Sequence, residues 1–145
     1  MIHSIDVSAV LRQAVRASYA DLVTRATGRA VREHIEQVYA AQTGGVARMD
    51  FTGVRCIDYS CADEIVAKLL RERIRVLVLR GCSDAHLEAL TPVLEGHGLA
   101  ALLERADGTL DGLGRRESTE ALLEELVALH LAARGAGGVV ALVAA

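Results

Sequence analysis

The stretch Ala47-Arg48-Met49-Asp50-Phe51-Thr52-Gly53-Val54-Arg55-Cys56-Ile57-Asp58-Tyr59-Ser60-Cys61-Ala62-Asp63-Glu64-Ile65-Val66 joins a strand, a turn and the start of a helix. Alternation over residues 46–51, with an aromatic residue near its end, predicts the strand. From Ser60 onward Ala62, Ile65, Val66, Leu69 and Leu70 fall on one stripe, and Asp63, Glu64, Lys68, Arg71 and Glu72 fill the rest, which predicts a helix with one buried and one wet face. Ser60 stands at the joint. Its hydroxyl either caps the helix, in the Ser-x-x-Asp form of the capping box ending at Asp63, or lies where free N–H groups and the helix dipole favour an added phosphate.

Strand and helix patterns alternate outward from this joint. Residues 75–80 form a branched apolar run bracketed by arginines, the pattern of a central strand covered on both faces. Ser83 opens a further helix with Leu87, Leu90, Val93 and Leu94 inward, which Pro92 should kink or divide. Residues 99–103 read as another buried strand, and Asp107-Gly108 with Gly112 and Gly114 as a turn-rich, hairpin-like segment. Upstream, an apolar periodicity predicts a helix over residues 8–19. Residues 21–25 read as a short strand, Thr27-Gly28 as a turn, and Ala30, Val31, His34, Ile35, Val38 and Tyr39 as a second helix ended by Gly44-Gly45. Downstream, residues 118–134 read as an amphipathic helix, and the apolar tail over residues 139–145 should dock on the sheet or on another subunit, because an unpaired apolar strand is costly. The organisation is therefore a helical extension over residues 1–20, an α/β domain over 21–114 and a C-terminal helix and tail over 115–145, with a mixed, mostly parallel sheet of 4–5 strands.

With 145 residues, 52% of them hydrophobic and 24% charged, the chain can bury a core and is not disordered. Aromatics are only 3%, so that core is built from Leu, Val, Ile and Ala. A net charge of -3 provides no general positive field, and neither nucleic acid nor an anionic membrane is the expected partner. No apolar run approaches the roughly 20 residues of a membrane span, and the first residues lack the order of a signal peptide, so a cytoplasmic location is expected. Three cysteines at irregular spacing form no disulfide framework.

Met49-Asp50-Phe51-Thr52-Gly53-Val54 followed by Ile57-Asp58-Tyr59-Ser60-Cys61-Ala62-Asp63-Glu64 resembles the STAS domain of bacterial anti-anti-sigma factors, and is most similar to STAS-like regulators of undefined role. The likeness covers about residues 21–104. Tyr59 stands where that family often has a first Ser, and Cys61 replaces its Gly. The resemblance implies a STAS-like fold and a non-catalytic signalling role in regulating transcription, with Ser60 as the phosphorylated residue. It also implies a protein partner, an anti-sigma factor or serine kinase, docking on Asp58, Tyr59, Ser60, Cys61, Asp63 and Glu64.

Other chemistry is less supported. Ser60 lacks Gly-x-Ser-x-Gly, and Gly108, Gly112 and Gly114 are not followed by the Lys-Ser/Thr of a phosphate loop, so no cofactor is expected. Cys56, Cys61, Cys82 and His86 are the rival reading, a metal-dependent or thiol enzyme, but their spacing departs from zinc knuckles. An assembly subunit acting through its C-terminal helix and tail, as a homo-oligomer, is the third. Arg25, Arg29, Arg115 and Arg116 read as solvated charges.

Overall fold

The computed structural model describes residues 2–38 and 45–143. Tyr39, Gly44 and the last two residues of the apolar tail, all used in the sequence reading, lie outside the described residues. The chain is α/β, with a mostly parallel five-stranded sheet in the order β1 (Ile2–Asp6), β3 (Gly45–Asp50), β5 (Ile74–Arg80), β6 (Ala100–Glu104), β7 (Leu110–Gly114). The first four strands are parallel, and β7 returns antiparallel on β6 through the Asp107-Gly108 turn, where Gly108 has φ +88°. A second, two-residue parallel pair joins β2 (Asp21–Leu22) to β4 (Cys56–Ile57) outside the main sheet.

The parallel strands are added always in one direction. A right-handed crossover repeated in one direction must place every connecting helix on the same face. Accordingly α1 (Val7–Ala14), α2 (Arg25–Val38), the segment α3 (Tyr59–Ala62), its continuation through a π-helical turn (Asp63–Ala67) into α4 (Lys68–Glu72), and α5 (Asp84–Gly96) all bury apolar residues against one side of the sheet. That core includes Leu11, Val31, Ile35, Ile65, Leu69, Leu90 and Leu94 from the helices and Ile5, Met49, Leu77, Leu79 and Ala101 from the strands. The opposite residues of the same strands, Val46, Val76, Val78 and Leu102, meet α6 (Arg116–Ala128) and a C-terminal hairpin of β8 (Ala132–Arg134) and β9 (Val140–Leu142). On this second face Arg48 and Glu104 form a two-point ion pair at 2.7 and 2.5 Å, reaching across β5.

Several expectations are corrected by tertiary pairing. Residues 2–6 are not helical, as an N-terminal helical extension would have them: Ile2–Asp6 is the edge strand of the main sheet, and Asp6 ends it while its side chain caps α1 by accepting from the Ala9 N–H. The first helix stops at Ala14 rather than continuing to residue 19. Thr27 and Gly28 lie inside α2, where the missing Cβ admits the neighbouring helix. Pro92 lies inside α5 with its ring exposed and does not divide the helix, which runs unbroken from Asp84 to Gly96. The helix expected to reach residue 134 ends at Ala128, and His130 turns the chain with φ +61° into β8. The apolar tail pairs with β8, and Ala141 bridges Thr109 beside β7, so within the described residues its docking partner is the chain's own sheet.

Candidate functional site

The predicted joint forms where β4 delivers the chain to α3. Asp58, not Ser60, is the N-cap: its Oδ1 accepts the Cys61 N–H at 2.8 Å, satisfying one of the free donors at the helix start. Ser60 lies one residue into the helix, half-buried, and its hydroxyl donates to the same Oδ1 at 2.8 Å. The other Asp58 oxygen accepts the Thr24 N–H at 3.0 Å. Burial alone would raise the Asp58 carboxyl, but the Cys61 and Thr24 amides and the Ser60 hydroxyl outweigh it and hold that carboxyl below its usual range.

Thr24 is the strained element of the site. It is β-branched and has φ +69°, in the left-handed region that such residues avoid. Three contacts impose this conformation: Asp58 accepts its N–H, its Oγ1 accepts the Thr27 N–H at 3.3 Å, and its carbonyl accepts the Cys61 thiol at 2.9 Å. The bend starts α2 so that the helix lies on the Ser60 helix, with Gly28 against Cys61 and Glu64.

Tyr59 turns outward with 53% of its surface exposed. Asp63 is held by Arg25 at 2.9 Å and by His97 at 2.5 Å; burial raises its carboxyl, and the hydrogen bonds to these two partners more than reverse this, leaving it lowered. Glu64, expected on the wet face, is fully buried instead. Its carboxylate lies under α2 within reach of Lys68 at 2.8 Å, Arg25 at 3.3 Å, Arg29 at 3.4 Å and Arg32 at 3.5 Å. Burial opposes its ionisation, but Lys68, Arg32 and Arg29 prevail and its carboxyl is lowered. Of the residues expected to touch a partner, Asp58, Tyr59, Ser60 and Asp63 reach the surface; Cys61 and Glu64 do not, and support the others from beneath.

Thr24, Arg32 and His97 were not expected at this site, and Arg25, Arg29 and Lys68, expected as solvated charges, meet the buried Glu64 instead. A signal was present: residues 25, 29 and 32 recur at the spacing of one helical face, and residues 64 and 68 do the same on the partner helix. What no spacing could supply is that these two faces meet.

The four residues of the metal or thiol reading do not converge. Cys56 donates to Asp21 at 3.2 Å and Cys61 to the Thr24 carbonyl, while Cys82 lies in a cleft with Arg80, Leu87 and Arg105. His86 is committed on both ring nitrogens, to the Ser83 N–H and the Val54 carbonyl. Among the described residues no three His, Cys, Asp or Glu side chains are placed to hold a metal ion. Burial pushes the Cys61 and Cys82 thiols up to about 12, so neither is a thiolate at neutral pH. No described helix is long and apolar enough to cross a membrane. No family model matches this chain, and neither does any curated protein or solved structure.

Proposed function

We propose that this chain is a non-catalytic signalling module with a STAS-like arrangement, binding a protein partner through the Asp58–Asp63 surface and switched by phosphorylation of Ser60. The observation that carries the reading is the half-exposed Ser60 hydroxyl in the first turn of its helix, hydrogen-bonded to the capping Asp58 and flanked by the exposed Tyr59 ring. Phosphorylation would replace a donor by a group of about -1.5 to -2 charges. The bond to Asp58 would be lost, and Asp58 and Asp63 would repel the new charge, so the surface offered to the partner would change while the buried contacts of Cys61 and Ile65 stayed in place. By the resemblance of the 49–64 stretch, the partner is a protein of the anti-sigma-factor or serine-kinase type.

The test is incubation with a cognate serine kinase and ATP, read by intact mass. One added phosphate on the wild-type chain and none on Ser60→Ala is the expected result. A wild-type chain that is never modified, or a Ser60→Ala chain modified equally, overturns the switch. Loss of partner capture by Tyr59→Ala tests the docking surface separately.

A further inference from the structure

The cluster around Glu64 has more donors than the protein can use. Arg25, Arg29, Arg32 and Lys68 converge on a single buried carboxylate, whose two oxygens offer about four acceptor positions. Glu36 engages Arg32, and Asp63 engages Arg25. Among the described residues Arg25 donates only through Nη1 and Arg29 only through Nε, while the Nε of Arg32 is buried without a partner. Arg25 and Arg29 remain 45% and 56% exposed, one helical turn apart. Like charges at that spacing disfavour a helix, and here Asp63 and Glu64 lie against them.

We propose that Arg25 and Arg29 form a receptor for a phosphate dianion. Guanidinium groups bind such oxyanions through paired N–H donors, and a buried carboxylate that fixes one edge of each group reduces the ordering cost of binding. Lys68 stands at the same carboxylate and adds positive charge, while Asp63, Glu64 and the His97 ring are the other titratable groups facing the site. The dianion has two possible sources. One is a small free phosphate. The other is a phosphate on Ser60, three residues before Asp63 on the helix that Arg25 grips, and joined through Asp58 to Thr24, the residue before Arg25. Only this second source rests on the proposed switch.

The experiment follows the arginine Nε–Hε signals of the full chain by NMR in two arms. Inorganic phosphate is titrated into the unmodified protein, and the chain is separately made with phosphoserine incorporated at position 60 during translation, which needs no kinase. Phosphate-dependent shifts at Arg25 and Arg29, with affinity lowered about tenfold in Arg29→Gln, assign a free phosphate source. Shifts present in the phosphoserine chain before any phosphate is added, and lost in Arg25→Gln, assign Ser60. Arg29→Lys, which retains charge without the paired donors, should bind more weakly than wild type. Arg75→Gln, on the opposite face of the sheet, should leave both arms unchanged. Absence of shifts at both arginines in both arms overturns the receptor, as does an equal loss in Arg75→Gln. Failure of the kinase assay alone leaves this result intact.

Discussion

Ser60 and Asp58 share one hydrogen bond at 2.8 Å, and the same Asp58 oxygen caps the helix in which Ser60 stands. The capping work belongs to the carboxylate, so the two residues should separate in a stability assay. Asp58→Ala removes the cap and the anchor of Thr24 and is expected to cost about 1–2 kcal/mol, read as a lower urea midpoint. Ser60→Ala removes only a donor and should cost less than about 1 kcal/mol. Equal losses would mean that the helix start depends on Ser60 as much as on Asp58.

The lowered carboxyls of Asp58, Asp63 and Glu64 determine an acid limb. A carboxyl whose folded pKa lies below its unfolded value adds stability that is complete above the unfolded value, about 4, and is lost as pH falls through the folded one. Stability should therefore be flat near pH 6 and decline below about pH 4. Asp63→Asn should shrink that decline, as measured by denaturant midpoints against pH.

The thiols produce the opposite limb. Cys61 and Cys82 ionise near 12 in the folded chain, against about 8.5 in an unfolded one. Their contribution is fully present below about pH 8.5 and is lost as pH rises toward the folded value. Both should react slowly with a thiol reagent at pH 8 until the chain is unfolded. Rapid native labelling of Cys61 would contradict its burial.

Gly28 lies at a close approach of α2 to the Ser60 helix. A Cβ there would lie 3.0 Å from the Cα of Cys61 and 3.1 Å from the Cβ of Glu64. Gly28→Val is expected to lower stability by about 2 kcal/mol through overpacking, despite valine's better helix propensity. It should also disturb the Arg29–Glu64 contact, visible as a changed arginine Nε–Hε signal.

His86 pins the start of α5 to the loop after β3. Its ring accepts the Ser83 N–H at 3.0 Å, donates to the Val54 carbonyl at 2.9 Å and lies 5.7 Å from the Phe51 ring. His86→Ala leaves two backbone groups without their partner and opens a cavity, which should cost about 2–4 kcal/mol. Thermal unfolding checks it, and a negligible change would show that the loop holds itself.

Local sequence was sufficient wherever one element's own pattern decided its state. The branched run of β5, the Asp107-Gly108 turn and the Ser83 start of α5 were legible because periodicity, turn chemistry and capping act over a few residues. The edge strand β1 was not, because its five residues carry no turn signal before α1 and become a strand only when β3 supplies the ladder. Glu64 was read as wet for a similar reason. On an isolated helix a carboxylate faces water, and only the packing of α2 across Gly28 covers it and brings three arginines to it, beside Lys68 of its own helix. The sequence by itself determined the alternating α/β class and the strand-to-helix joint at Ser60. The tertiary structure decided which helices share a face, because repeated crossovers of one hand and one direction leave the other face to α6 and the C-terminal hairpin. It also decided that the joint at Ser60 stands beside a row of arginines 31 to 35 positions earlier in the chain.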